Sequence, residues 1–528
     1  MAMRFDADAI HGRYREARQH RTSYEGLWSD VLALMMPGRR DVYNTLPPRL
    51  STTEIYDDTA VMAVEECAAR LQSGIMPPGV EWARLEMQGA DEETKRRLAA
   101  VQRYIFERLS YSRFQAAVNE TLLDATGFGN WLMRVGYQPD LPGGLLFEPI
   151  PMTAVWFASW HRPRPDAFYI LERHRPGQLR LKYPRIALPS DLDETQPVEV
   201  IEFCELEPDG VQEVWHHGLL LVRGVPTGKA GDILWKREYR GEGSCPFVCG
   251  RWSVAAGDIY GIGPAIKALP SVRTLNAVVE KLLRGADIQI SGLWQAEDDG
   301  VINFDTVSLV PGTILPVAPG SKGLQPIGHH VPVDLTQLVI SDLKDSIRRA
   351  LYNDSLGPRQ GTPPTAFEVE ERMLDLARQI GPAYERVWSE FCVPLMSRLR
   401  YLLVKAGMIQ MPVIDGRKTR VEPTSALARS GAMALGKRQV QLAQTIGSLF
   451  GPQVLVTEID PSRMTRELAR LFDTGTSILV SPEEQRARGA MMGQMAAQLG
   501  GVQGGGAVAQ AIMSAAGGGL GGGQPRTF

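Results

Sequence analysis

At 528 residues the chain is longer than one compact core accommodates, so roughly two to four structural units are expected. Hydrophobic residues make up 44% and charged residues 22%, which excludes a disordered or fibrous protein and matches a soluble globular one. With 57 basic against 60 acidic residues the formal charge is −3, which excludes a surface that grips nucleic acid everywhere through its phosphates and leaves local basic patches open.

The first segment is helical: Tyr24, Leu27, Trp28, Val31, Leu32 and Met35 form one apolar stripe, and Pro37-Gly38 ends it. After a polar loop, Asp57 and Asp58 open a second helix that stops at Gly74, before the MPPG turn from Met76 to Gly79. Two more helices are predicted near Glu92–Leu109 and Arg113–Thr126. The period then changes. Short β-branched and aromatic runs separated by Gly, Pro and Asp predict a strand-rich region from about Trp131 to Tyr239.

Helices return after Tyr260. Ser271 opens one with Leu275, Val278, Val279, Leu282, Leu283 and Ala286 on a stripe. A Gly/Pro-punctuated, strand-like insert runs from about Ile288 to Pro332. Asp334, with Gln337 three residues on, forms a capping-box pattern for the next helix. The stretch LGPRQGTPP follows, and Thr365 with Glu368 caps a long third helix. Its stripe runs from Val369 to Leu402 straight through Pro382 and Pro394, predicting one bent helix or two in series, about 50–60 Å long. Further helices are predicted at Arg463–Phe472 and from Ser481. The Gly-rich end, from Gly500 to Phe528, has too little apolar surface to order itself.

The motifs that might carry chemistry mostly fail. GVPTGKAG (Gly224 to Gly231) has three residues between its glycines where a Walker loop has four, and Ala230 replaces the magnesium-binding hydroxyl. Gly127-Phe-Gly129 and Gly261-Ile-Gly263 lack the third glycine of a dinucleotide fingerprint and read as tight turns. Five cysteines (Cys67, Cys204, Cys245, Cys249, Cys392) are too few for a disulfide framework. Cys245 and Cys249 lack the second Cys/His pair of a zinc site, and the doublets His216-His217 and His329-His330 read as surface histidines. No nucleophile-elbow motif occurs. The start of the chain has no signal-peptide pattern, and no run approaches the roughly 20 apolar residues of a membrane span. These readings point to a protein of a reducing compartment with no catalytic residues, no metal, no cofactor and no membrane partner.

Several stretches resemble the portals of short-tailed phages, the podovirus-type head-to-tail connector family. They are Trp28, IYDDTA (Ile55 to Ala60) with the Ala/Leu-rich helix after it, and MPPGVEWARL (Met76 to Leu85). Asp124-Ala-Thr-Gly127, the Cys245–Asn276 stretch with its Arg-Trp and Tyr-Gly-x-Gly-Pro, and Thr-Ala-x-Glu-Val (Thr365 to Val369) continue the pattern. The order and spacing of these motifs carry the likeness up to about Leu403.

The resemblance implies an α+β portal fold: a wing at 1–260, stem helices at 261–287 and 334–354, and a strand-rich clip at 288–333. It further implies a tunnel loop at 355–364, a long kinked helix at 365–405, a helical crown region at 406–499 and a flexible tail at 500–528. Such subunits form rings of about twelve around double-stranded DNA, as closed symmetry allows. The implied partners are a terminase large subunit, tail adaptor or nozzle proteins, and the major capsid and scaffolding proteins. The implied place is the portal vertex of a virion, after assembly in the host cytoplasm.

Arg359 and Gln360, at the loop tip, are the residues expected to touch DNA, a solvated Arg359 being the alternative. Lys344, Arg348 and Arg349 either line the lumen or pair with Asp342, Asp345 and neighbouring subunits. The competing reading is a multidomain enzyme of nucleotide or nucleic-acid metabolism in which LGPRQGTPP binds an anion.

Overall fold

The structure, a computed structural model, describes residues 5–39, 55–87, 89–184, 186–208, 212–223, 229–291, 294–295, 325–326, 333–353, 379–381, 383–411, 419–424, 426–450 and 460–471. The chain divides into two units, Met1–Ser430 and Gly431–Phe528. The fold mixes helix and sheet, as the patterning requires.

In the first unit, helix α1 (Ala7–Met35) begins well before the apolar stripe at Tyr24. Asp6 caps it, accepting a hydrogen bond from the Ala9 amide at 2.8 Å. The early start has a packing cause: Ile10, Tyr14 and Ala17 lie against one face of a five-stranded sheet, whereas Trp28, Val31 and Met35 enter the main core. Helix α2 (Thr59–Ile75) buries Ala60, Ala63, Val64, Cys67, Ala68 and Leu71 on one stripe, and its small residues allow close packing on α4 (Phe114–Phe128). Helix α3 (Glu92–Tyr111) is capped by Asp91.

The strand-rich region forms two antiparallel sheets. Strands β2 (Asn130–Tyr137), β3 (Leu145–Ile150) and β9 (Phe247–Arg251) pair in the order β3-β2-β9. Strand β9 lies in the Cys245–Asn276 stretch, beyond the predicted boundary near Tyr239. The larger sheet is a five-strand meander of β4 (Val155–Ala158), β5 (Ala167–His174), β6 (Val198–Pro208), β7 (Glu213–Arg223) and β8 (Lys229–Arg240). Helix α5 (Pro176–Lys182) covers part of the face opposite α1, placing Leu179 over Val200, Leu219 and Leu221.

This arrangement corrects the reading of His216 and His217 as surface residues. Both lie in β7, between β6 and β8, and are only 4% and 6% exposed. Adjacent residues of a strand point to opposite faces, and here both faces are covered. Each imidazole meets a carboxylate of β6: His216 Nε2 lies 2.7 Å from Glu207, and His217 Nε2 lies 2.7 Å from Glu202. These are diagonal cross-strand neighbours. The other doublet, His329-His330, lies outside the described residues.

Helix α6 (Pro264–Ser291) begins seven residues before Ser271 and contains Pro270. Pro264 at the first position suits the opening turn, whereas Pro270 lies in the second turn, where it removes an intrahelical bond. The same helix runs beyond 287 into the stretch read as a strand-rich insert. From that insert the structure describes the short strands β10 (Trp294–Gln295) and β11 (Gln325–Pro326), which pair antiparallel. Helix α7 (Val333–Ala350) follows, with Asp334 inside its first turn rather than at its cap. It stops short of the predicted 354, because Tyr352 turns left-handed at φ 57°.

The long third helix falls outside the described residues until 379. The described residues 379–381 and 383–387 are helical, a π turn at Trp388–Cys392 leads into α8 (Val393–Lys405), and Pro382 lies outside the described residues. The Val393 amide bonds back to the Trp388 carbonyl. This wider turn relieves the clash that Pro394 would make with the preceding turn, so the apolar stripe passes the proline with Phe391, Leu395 and Leu399 all buried. The stretch 406–499, read as helical, also contains a strand, β12 (Arg420–Pro423). It pairs antiparallel with β1 (Ala83–Glu86) of the MPPGVEWARL motif. In the second unit the described residues are helical apart from Asp460: most of α9 (Ala426–Phe450), and α10 (Pro461–Leu471).

Candidate functional site

Two groups of motif residues converge on the helix pair α6–α7. The pair is held by Ile347 of α7, Leu351 just after it, and Val272 and Leu275 of α6, all in the main core, and Ser271 Oγ lies 3.4 Å from Ser346 Oγ. The IYDDTA motif moors the pair. Asp57 takes Lys344 Nζ at 2.7 Å and the Thr59 amide at 3.0 Å. Partial burial raises the Asp57 pKa, but the bonds from Lys344 and Thr59 outweigh it and leave the carboxyl below its ordinary value. The Tyr56 amide donates to Asn276 Oδ1 of α6 at 2.8 Å.

The far end of α7 is tied to the same helix α2. Asn353, 6% exposed, donates from Nδ2 to the Ala63 carbonyl at 2.7 Å, and Arg70 donates to the Tyr352 carbonyl at 3.2 Å. Tyr352 packs on Trp252 of the Arg-Trp motif. The left-handed turn at Tyr352 is therefore held from three sides at the point where the chain enters 354–378.

The candidate DNA-channel residues separate accordingly. Lys344 is half-buried and its partner is Asp57, not the Asp342 or Asp345 weighed from sequence. Arg348 and Arg349 are exposed. Arg348 lies 3.5 Å from Asp345, and Arg349 Nε donates to the Asp345 carbonyl at 3.3 Å, so both heads stay near the helix surface. Leu338 and Val339 of α7 and Leu283 of α6 are exposed as well. Arg359 and Gln360, with the whole 355–364 stretch, lie outside the described residues.

The two G-x-G motifs prove to be one feature. Gly129 ends α4 in the left-handed region, at φ 76°, and its backbone lies directly against Ile262 and Gly263. Asn130, fully buried, accepts from the Gly261 amide at 2.7 Å and donates to the Gly261 carbonyl at 2.9 Å. The Trp252 amide donates to the Gly129 carbonyl at 2.8 Å. These glycines let two main chains cross where any Cβ would collide. Their amides face protein, so no phosphate has room there.

Of the thiols, Cys249 is pushed up to about 12 by burial, and Cys204 is raised by burial and by its hydrogen bond with Cys245. Among the described residues no group of three or more His, Cys, Asp or Glu is placed to hold a metal ion. No described helix is long and apolar enough to cross a membrane.

With this geometry in place, the comparisons identify the family. The family model described as "Bacteriophage head to tail connecting protein" matches residues 7–479. The chain belongs to this family of phage head-to-tail connectors. The "Probable portal protein" of Bordetella phage BPP-1 is 24% identical over 528 residues, and the match covers 94% of each chain. Two solved assemblies are similar at 12% identity, each match covering 78% of this chain and 89% of the other. They are the virion of a native gene transfer agent particle, with TM-score 0.37, and the neck of an empty gene transfer agent particle, with TM-score 0.32.

The IYDDTA mooring was missed as a mechanism. A doublet of aspartates before a helix reads as capping, and only the tertiary contact reveals Lys344 as the partner of Asp57, 287 residues away (344 − 57).

Proposed function

We propose that the chain is a portal subunit, which joins about twelve copies in a closed ring at one capsid vertex. Double-stranded DNA passes through this ring during packaging and ejection. The carrying observation is the family match over residues 7–479, together with a portal-named relative aligned over 94% of the chain. In this reading the subunit is structural rather than enzymatic, and the motor activity belongs to a separate terminase. The moored pair α6–α7 supplies the stem, at 261–287 and 334–354. The stretch 288–333 is the clip that docks the terminase and later the tail adaptors, and 1–260 is the wing. The tunnel loop is 355–364, the kinked helix 365–405, the crown region 406–499 and the flexible tail 500–528. Assembly proceeds in the host cytoplasm with the major capsid and scaffolding proteins, and the ring ends in the virion.

Arg359 and Gln360 are the DNA contacts in this reading, with Arg348 and Arg349 along the lumen. Lys344 serves differently: bound to Asp57, it positions the stem from which the loop projects. A subunit of net charge −3 suits a conduit, because neutralising many phosphates would hold DNA rather than pass it. Mass photometry and negative-stain imaging of the purified chain test the proposal. Rings are expected. Compact monomers alone at micromolar concentration, with measurable nucleotide turnover, would refute it.

A further inference from the structure

A cavity of about 210 Å³ opens between the ends of β5 and β7, strand β9, and the π turn that leads into α8. At roughly 30 Å³ per water, that is space for about seven waters or one small organic molecule. Much of its wall is apolar: Phe168, Trp215, Phe247, Val248, Val393 and Pro394.

The charges of the wall are unevenly matched. Its three carboxylates already have arginines: Glu213 takes Arg162 at 2.7 Å, Glu390 takes Arg251 at 2.7 Å, and Glu242 takes Arg400 at 3.2 Å. Arg398 is different. It is 4% exposed, and its Nε and Nη1 donate only to carbonyls, of Val135 at 3.0 Å and of Ser244 and Gly243 at 2.7 and 3.4 Å. Its other near neighbours are the faces of Tyr239 and Tyr401. Among the described residues its Nη2 has no acceptor, and no carboxylate bonds to it. Burial accordingly pulls its pKa down. Arg164, exposed at the mouth, and the Ser397 hydroxyl also lack partners among the described residues.

A buried guanidinium without a counter-charge is costly, and an anion in reach of Nη2 removes much of that cost. We infer that this cavity is a binding site for a small carboxylate with an apolar body, its carboxyl group on Arg398, Ser397 and Arg164 and its body among the aromatic rings. A strongly hydrated ion such as phosphate would lose its water against these rings with too few donors to replace it.

Benzoate is a suitable probe, with benzamide as its uncharged isostere. Equilibrium dialysis of labelled benzoate against the full chain reads affinity. Alkylation of Cys245, a half-buried thiol in the cavity wall, reads the place. Saturable benzoate binding that slows alkylation of Cys245 is expected, with benzamide and inorganic phosphate ineffective at the same concentrations. Arg398→Met should weaken benzoate about tenfold to a hundredfold, the range for losing a hydrogen bond to a charged group. Because Arg398 also anchors three carbonyls, Val393→Phe provides a second test: it fills the cavity without touching those bonds, and should abolish binding. Absence of benzoate binding to the wild-type chain, equal binding of benzamide, or undiminished binding to Val393→Phe would overturn the assignment.

Discussion

Replacing Gly263 with alanine tests whether the two G-x-G motifs exist for a main-chain crossing. A Cβ at Gly263 would lie 2.6 Å from the Thr126 carbonyl oxygen, 2.7 Å from the Gly129 amide nitrogen and 3.0 Å from the Gly127 carbonyl oxygen. All three are backbone atoms of the end of α4 and the turn after it, so no side chain can rotate aside. Overpacking a well-filled site costs about 1–3 kcal/mol, and a collision with fixed backbone belongs at or above the top of that range. Separation of the two chains would also strain the Asn130 bonds to Gly261, each worth about 1 kcal/mol. A loss of about 3–5 kcal/mol is therefore expected for Gly263→Ala. Gly26 is the internal control. It lies exposed within α1 with nothing inside 4 Å of an added Cβ, so Gly26→Ala should stabilise by about 1 kcal/mol through helix propensity alone. Urea unfolding followed by tryptophan fluorescence reads both, since Trp28, Trp131 and Trp252 are buried beside the crossing or in the core around it. A Gly263→Ala protein within about 0.5 kcal/mol of wild type would refute the steric argument.

Three further outcomes are expected. Burial raises the Asp124 carboxyl from 3.8 to about 6 despite Arg39 at 2.8 Å, so the folded chain keeps a proton that the unfolded chain releases, and stability falls as pH rises through that window. Asp124→Asn removes this dependence, so its stability relative to wild type should climb by about 2 kcal/mol between pH 4 and pH 6, and a flat difference would contradict the raised carboxyl. A double-mutant cycle of Asp57→Asn and Lys344→Met should give a coupling of about 0.5–1 kcal/mol, small because Lys344 keeps water contact, and additivity within error would dissolve the mooring. Arg359→Ala should leave ring assembly intact while impairing DNA packaging or retention; rings that fail to form would make Arg359 an assembly contact instead.

Most of the helices and strands were legible because their faces are strongly patterned. The stripe of α2 from Ala60 to Leu71 and the alternation in β6 leave little choice of conformation. What escaped is tertiary in origin. Nothing local distinguishes Phe247–Arg251 as a strand until β2 lies beside it, and Pro270 argues against a helix that the core nevertheless imposes. His216 and His217 look like surface residues because their carboxylate partners come from the neighbouring strand, nine and fifteen positions away. The candidate site was legible as residue types but not as roles. Lys344, Arg348 and Arg349 sit on one short stretch, yet Asp57 takes only the first of them out of contention as a free cation.

Strand β12 has a consequence for how the chain is made. Residues 83–86 find their partner only at 420–423, and the closing bonds run from the Thr424 amide to the Trp82 carbonyl at 2.9 Å and from the Thr424 hydroxyl to the Glu81 carbonyl at 2.6 Å. At about 5–20 residues per second, a ribosome needs on the order of tens of seconds to travel from one strand to the other. Throughout that interval the edge of β1 is open, and so long a loop closes slowly. The N-terminal portion of the first unit therefore folds around an unpaired strand, and pairing with β12 marks the moment at which that unit is complete. A chain shortened just before residue 420 would keep the helices up to α8 and its five-strand meander while presenting a sticky edge to other copies.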